Sequence, residues 1–197
     1  MGMSEDGSAT ASPHSIHLVC GSTGAGKTTY AIALAERLGG IRFSIDSWMS
    51  ALFWMDSPQP LEPAWAMERV ERCLEQIWAV ARDVAARGLP CILDVGLTTL
   101  ASRQRFAGAA SEAGLSVQLH FVDVPVEERW RRVAARNAGR GETRQLAFAV
   151  TREMFDFVET MWEPPTPEEM KRLDGRHIQN GPVAPASDFL DFPASSP

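Results

Sequence analysis

Apolar residues along the chain fall into short runs separated by stretches with helical spacing. Ile16-His17-Leu18-Val19-Cys20 reads as a short strand. From Lys27 to Leu38, apolar positions recur at Ile32, Leu34, Ala35 and Leu38, a helix that Gly39-Gly40 stops. Ile41-Arg42-Phe43-Ser44-Ile45 alternates apolar and polar like a second strand, and a short helix is expected from Ser47 to Trp54. Asp56 to Pro63 carries the prolines Pro58, Pro60 and Pro63 and reads as a loop. A long helix follows from about Ala64 to Arg87, closed by Gly88. Cys91–Val95 has the pattern of a buried strand, a helix over 99–113 ends at Gly114, and Val117–Val122 is another strand. A helix starts near Val126, a further one covers roughly Gln145 to Trp162, and Arg176–Asn180 closes the pattern as a short strand.

Strands alternating with helices imply βαβ units with right-handed crossovers, hence an α/β fold in three layers, a parallel sheet with helices on both faces. In such sheets ligands bind beyond the carboxyl ends of the strands. Residues 1–14, of Ser, Gly, Ala and acidic type, read as a disordered leader, 15–180 as one domain, and 181–197 as a Pro/Ala/Ser-rich tail.

Composition narrows the partners. The chain has 197 residues and a formal net charge of −6, which argues against wrapping long nucleic acid, since that affinity comes mainly from neutralising phosphates. Cys20, Cys73 and Cys91 form no CxxC or Cys/His metal spacing, and the odd count speaks against a disulfide scaffold. A reducing cytoplasm is the expected compartment, with no secretory h-region in Met1–Pro13 and no apolar run long enough to span a bilayer.

The strongest chemical signal is GxxxxGK[ST] at Gly21-Ser22-Thr23-Gly24-Ala25-Gly26-Lys27-Thr28, directly after an apolar strand and at the start of a helix. Backbone N–H groups of such a loop and the helix N-terminus behind it bind phosphates. Lys27 is expected to reach the β- and γ-phosphates, the Thr28 hydroxyl to ligate Mg²⁺, and Thr29 to complete the nucleotide contacts, so ATP with Mg²⁺ is the expected ligand. Asp94 ends an apolar run where a Walker B carboxylate holds Mg²⁺, or else caps the next turn. The residue after it is Val95 rather than a water-activating Glu, which favours transfer to a hydroxyl over hydrolysis. Asp46, read as closing the second strand, falls on the same sheet edge and can accept a hydroxyl proton; the alternative is an N-cap supplied by Asp46 or Ser47.

Arg129, Arg132, Arg136 and Arg140 follow at i, i+3, i+7 and i+11, one face of a continuous helix, with Arg144 beyond. The Gly-containing run Arg136–Gly141 reads as a lid of about 136–146, with Arg136 and Arg140 closing over the phosphates; the alternative is a solvated basic face. Arg129 and Arg131 read as surface residues. Trp48, Phe53, Trp54 and Trp65 either line an acceptor pocket or belong to the core. Thr98, Thr99 and Arg103 are acceptor-binding candidates, with Thr99 alternatively a helix cap.

The segments GSTGAGKTTYA at 21–31, FSIDSW at 43–48, ILDVGLTTLASRQRF at 92–106 and FVDVPVEERWRRVAARN at 121–137 resemble P-loop kinases and AAA-type ATP-binding proteins. The likeness is to the group containing polynucleotide kinase, zeta-toxin and chloramphenicol phosphotransferase, over roughly residues 16–180. That resemblance implies a five-stranded parallel sheet, Asp46 as general base, Asp94 orienting acceptor or metal, and Arg136 with Arg140 as lid arginines. The insert Trp48–Glu62 matches no single member, so no acceptor carries over. The expected activity is transfer of the γ-phosphate of ATP to a hydroxyl of a small or nucleotide-type acceptor. The rivals are an ATP-hydrolysing NTPase and a nucleotide-binding sensor or toxin-like interaction protein. No NKxD segment reads guanine. Acceptor and oligomeric state are not legible at this level.

Overall fold

The computed structural model describes residues 14–60, 62–139 and 149–179. Its strands are β1 (Ile16–Cys20), β2 (Ile41–Ser44), β3 (Cys91–Asp94), β4 (Val117–Asp123) and β5 (Arg176–Gln179). They form one sheet in the order β2-β3-β1-β4-β5, and every neighbouring pair is parallel. The helices among the described residues are α1 (Lys27–Leu38), α2 (Ile45–Phe53), α3 (Pro63–Ala85), α4 (Leu100–Glu112), α5 (Val126–Asn137), α6 (Arg152–Met161) and α7 (Pro167–Arg172), with a 3-10 turn at Trp54–Asp56.

Strand side chains alternate between the two faces, and that alternation divides the interior. Ile16, Leu18 and Cys20 of β1 join Leu93 and Leu119 in the larger core, covered by α3 through Cys73, Ile77, Ala81 and Ala85 and by α4 through Phe106 and Ala110. Those α3 residues recur every four positions, one stripe of a helix. Val19, Ile92 and Val122 face the other way, onto Tyr30, Ala31 and Leu34 of α1. Leu18, Val19, Ile77 and Ile92 are fully buried; truncating one such side chain to Ala costs about 2–5 kcal/mol.

Two local departures from the sequence expectation matter later. The second strand stops at Ser44 and helix α2 begins at Ile45. Asp46 therefore lies in the first turn of α2 instead of closing the strand. The reason is the cap: the Ser44 hydroxyl accepts from the Ser47 N–H at 3.3 Å and starts the helix earlier than Asp46 or Ser47 would. Helix α7 is absent from the apolar pattern because it is short and polar; Pro167 opens it and the Thr166 hydroxyl caps it on Glu169 N at 3.2 Å. Thr99 caps α4 as a reciprocal capping box with Ser102. Helix α6 is described from Arg152, so the start expected near Gln145 lies outside the described residues.

A chain of polar side chains crosses the α1 face. The Tyr30 hydroxyl meets His120 Nδ1 at 2.7 Å, and His120 Nε2 meets His17 Nδ1 at 3.0 Å. Both histidines are buried. Burial, then the neighbouring His14, lowers the His17 pKa from 6.5 to about 4. Burial, with His17, Arg37, Arg176 and His14 adding to it, lowers His120 as well. The folded state therefore holds both rings neutral, whereas the unfolded chain protonates them near 6.5. Stability present above that pH should be lost progressively as pH falls from 6.5 toward about 4. For His17 alone the loss is on the order of 3 kcal/mol. Urea unfolding midpoints measured between pH 7 and pH 5 should fall, and fall less in a His17→Gln variant. A flat wild-type profile over that interval contradicts the assignment.

Candidate active site

The chain leaves β1 at Cys20 and curls through Gly21–Gly26 into α1. Two glycines are fixed by space as well as by backbone angle. A Cβ on Gly21 would stand 2.5 Å from the Val122 carbonyl oxygen, and one on Gly24 would stand 2.5 Å from the Arg129 carbonyl oxygen; their φ values are +150° and +80°. No L side chain tolerates both conditions. The loop that results is wrapped around the N-terminus of α1, where backbone N–H groups are free of intrahelical partners.

The carboxyl edge then assembles from three strands. Ser44 and Asp94 lie side by side in the β2–β3 register, and Asp46 follows within the first turn of α2. Asp94 is buried, and its Oδ2 accepts from the Thr28 hydroxyl at 2.9 Å and from Arg42 Nε and Nη2 at 3.1 and 2.7 Å. Lys27 Nζ donates to the Ser22 carbonyl at 3.0 Å. Burial pulls the Lys27 pKa down, opposed by Asp94 and Asp46. Burial and then Asp94 push the Asp46 pKa up, while Lys27, Arg42 and Arg136 pull it back. Arg136 answers in kind: burial lowers its pKa and Asp46 raises it. Its Nη2 is the one buried side-chain nitrogen or oxygen with no hydrogen-bond partner among the described residues.

Lys27, Thr28, Asp46, Asp94 and Arg136 thus share one place. Thr29 stands exposed in the first turn of α1. Arg140 and Arg144, with most of the segment read as a lid, lie outside the described residues. The arginine face of α5 is present as far as Arg136, since the helix ends at Asn137.

Two sequence readings are corrected here. Arg129 is not a surface residue: it is 6% exposed, and its guanidinium grips Glu159 of α6 at 2.5 and 2.6 Å, with Nε on the Val124 carbonyl at 2.8 Å. It shares a helix stripe with buried Val133, so burial follows from position despite the charge. Arg131, by contrast, is exposed and paired with Glu128. Arg103 is fully buried and makes a two-pronged bond to Glu169 of α7 at 2.7 and 2.9 Å, with its Nη1 on the Glu163 carbonyl. It ties α4 to α7 and offers nothing to an acceptor. Thr98 uses its carbonyl to hold the Glu163 N–H at 3.0 Å. Trp48 and Phe53 pack against the larger core, and Trp65 lies under the Arg69 guanidinium at 4.0 Å, so the core reading holds for the first two.

Arg42 and Glu159 had no sequence-level assignment. Arg42 had a signal, a cation between apolar neighbours in a strand expected to be half-buried. Glu159 had none, because its partners Ser22 and Arg129 are distant in the chain.

A family model described as an AAA domain matches residues 16–161, and the chain belongs to that family. No curated protein sequence matches it significantly. Among solved structures, it is similar to an unliganded sugar kinase from a Janibacter species, with TM-score 0.58, 19% identity and 88% of each chain covered. It is similar to the Mycobacterium tuberculosis APS kinase CysC in complex with AMPPNP and APS, with TM-score 0.55, 17% identity, and 89% of this chain and 92% of that one covered. It is also similar to Chaetomium thermophilum Kti12 in complex with ADP-AlF3, with TM-score 0.58, 19% identity, and 83% and 87% covered. The fold is therefore the α/β fold of the P-loop kinases, five parallel strands flanked by helices. Among the described residues, no helix is long and apolar enough to cross a membrane.

If Arg103 is structural, Arg103→Ala leaves Glu169 buried and unpaired and should cost about 3–5 kcal/mol. Nucleotide affinity, measured by calorimetry below the shifted melting temperature, should stay within about twofold of wild type, roughly 0.4 kcal/mol. An affinity loss of about tenfold without a stability loss contradicts this.

Proposed function

We propose that this member of the AAA-domain family is an ATP-dependent phosphotransferase that moves the γ-phosphate of ATP to a hydroxyl of a small-molecule or nucleotide-type acceptor. The observation that carries the reading is the Thr28 hydroxyl of the phosphate-binding loop donating to Asp94 at 2.9 Å, with Asp46 near enough to Asp94, Lys27 and Arg136 to feel their charges. Phosphoryl transfer asks a protein chiefly for positioning and for compensation of charge. The Gly21–Thr28 loop supplies backbone N–H groups for the β- and γ-phosphates, and Lys27 exchanges the Ser22 carbonyl for a phosphate oxygen. The donor set fits Mg²⁺, a cation that keeps several waters and takes only one or two protein oxygens. The hydroxyl of Thr28 and the carboxylate of Asp94 already meet at 2.9 Å, and would hold the ion that neutralises charge between the phosphates.

Asp46 is the base. Its carboxylate takes the proton of the acceptor hydroxyl, whose oxygen forms the new bond to the γ-phosphorus. The bond from that phosphorus to the bridging oxygen breaks, and its electron pair leaves on ADP. Arg136, with a buried Nη2 that has no hydrogen-bond partner among the described residues, stands ready for an oxygen of the transferring group; such an arginine is worth about 10³–10⁵ in rate. Apolar Val95 follows Asp94 and is buried, so no carboxylate stands there to activate water. That favours transfer over hydrolysis. The nucleotide in two of the structural neighbours, AMPPNP in one and ADP-AlF3 in another, is consistent with ATP as the donor.

Phosphate release from ATP should therefore be slow alone and rise with the right hydroxyl acceptor, followed with labelled ATP against a panel of alcohols, sugars, nucleosides and 5′-hydroxyl ends. Lys27→Ala should abolish binding or turnover. Asp46→Asn should bind ATP within a few-fold of wild type, a difference of about 1 kcal/mol, and transfer at least about a hundredfold more slowly. Because burial and Asp94 raise the Asp46 pKa, the acid limb of the rate profile should lie above 3.8 and vanish from the residual rate of Asp46→Asn. Near-wild-type transfer by Asp46→Asn rules out the base. A high acceptor-independent rate points instead to an NTPase.

A further inference from the structure

The four residues between Gly21 and Gly26 of the phosphate-binding loop are each held from outside, by α5 or α6. The Ser22 hydroxyl donates to Glu159 Oε1. The Thr23 carbonyl accepts from Arg129 Nη1 at 3.3 Å. Gly24 lies against the Arg129 carbonyl so closely that no Cβ fits. The Ala25 carbonyl accepts from Arg132 Nη1 at 3.4 Å. The centre of this bracket is the ion pair between buried Arg129 and Glu159.

Helix α6 is seated on α5 through a small apolar cluster of its own. Phe155 is fully buried with Val133 and Val150, and Trp130 packs beside them. The Asn137 side chain clasps Val150, its Nδ2 donating to the Val150 carbonyl at 2.7 Å and its Oδ1 accepting from the Val150 N–H at 3.2 Å. Glu159 is the point where this seated helix touches the loop.

We propose that Glu159, through Arg129 and Ser22, is a positioning residue for nucleotide binding: docking of α6 on α5 sets the shape of the phosphate-binding loop. This rests on the reading of the loop as an ATP site. Ser22 is held twice, its carbonyl by Lys27 and its hydroxyl by Glu159. When Lys27 turns to the phosphates, the Glu159 hold is the one that remains. Glu159 also engages the Arg129 guanidinium on two prongs. Without it, a buried cation behind the loop loses its partner and its reason to stay on the Thr23 carbonyl. By linkage, nucleotide in the loop must in turn strengthen the seat of α6.

The test uses the full chain and AMPPNP with Mg²⁺. Calorimetry should give an affinity at least tenfold weaker for Glu159→Ala and a few-fold weaker for Ser22→Ala. The double variant should be no weaker than Glu159→Ala alone, because both changes remove one contact. Glu159→Gln, whose amide oxygen still accepts from Ser22, should fall between. Arg131→Ala, on the exposed side of α5, should match wild type. Amide exchange over 152–161 should slow on adding AMPPNP in the wild type and not in Glu159→Ala, a response that a purely structural ion pair would not produce. If Glu159→Ala does not fold, Glu159→Gln and Ser22→Ala carry the same comparison. Variants within twofold of wild type, or α6 exchange indifferent to nucleotide, overturn the proposal while leaving the ATP site standing. Absence of AMPPNP binding by the wild type itself removes the ATP reading and this proposal with it.

Discussion

Two carboxylates, Asp46 and Asp94, stand together at the rim of a sheet where water is partly excluded, and the rest of the site depends on how that repulsion is met. Here Arg42 bonds Asp94 directly, and Lys27, Arg42 and Arg136 all draw the Asp46 pKa down against burial and Asp94. The cations come from three different elements: α1, β2 and the last turn of α5. The parallel sheet brings those elements to one edge, so topology and charge balance are one constraint seen at two scales.

The same edge has an outer side. Phosphates would meet the loop from within, where the glycines leave room. From without, α5 and α6 hold it through Arg129, Arg132 and Glu159. A Gly-rich loop loses more freedom on ordering than any other segment, and holding each variable residue beforehand reduces what a ligand must order. Buried ion pairs are costly to break once formed, which makes Arg129–Glu159 a firm support for a loop with little rigidity of its own.

Much of this was legible in the chain. The alternation of strand and helix, the loop motif after an apolar strand, and Asp94 at the end of another apolar run are local signals set by periodicity and turn chemistry. They placed the sheet and the turn that leads from β1 into α1. Asp46 was read to the correct edge but the wrong element, because a serine cap two residues earlier outcompeted it. Arg129 and Arg103 were misread for one physical reason. Charge argues for the surface, and only a partner distant in sequence, Glu159 for one and Glu169 for the other, makes burial possible. Arginine with a carboxylate at a distance of 30 or 66 residues leaves no periodic trace. The aromatic cluster at 48–54 fell largely to the core for the opposite reason, since its members pack on residues already apolar.

The most direct test of the central claim is a crystal structure of the protein with Mg²⁺ and a non-hydrolysable ATP analogue. The account predicts the triphosphate cradled by Gly21–Thr28, Lys27 moved from the Ser22 carbonyl onto phosphate oxygens, and the γ-phosphate facing Asp46 with Arg136 Nη2 on one of its oxygens. A nucleotide bound elsewhere, or a γ-phosphate with Asp46 turned away and Arg136 unengaged, would contradict it.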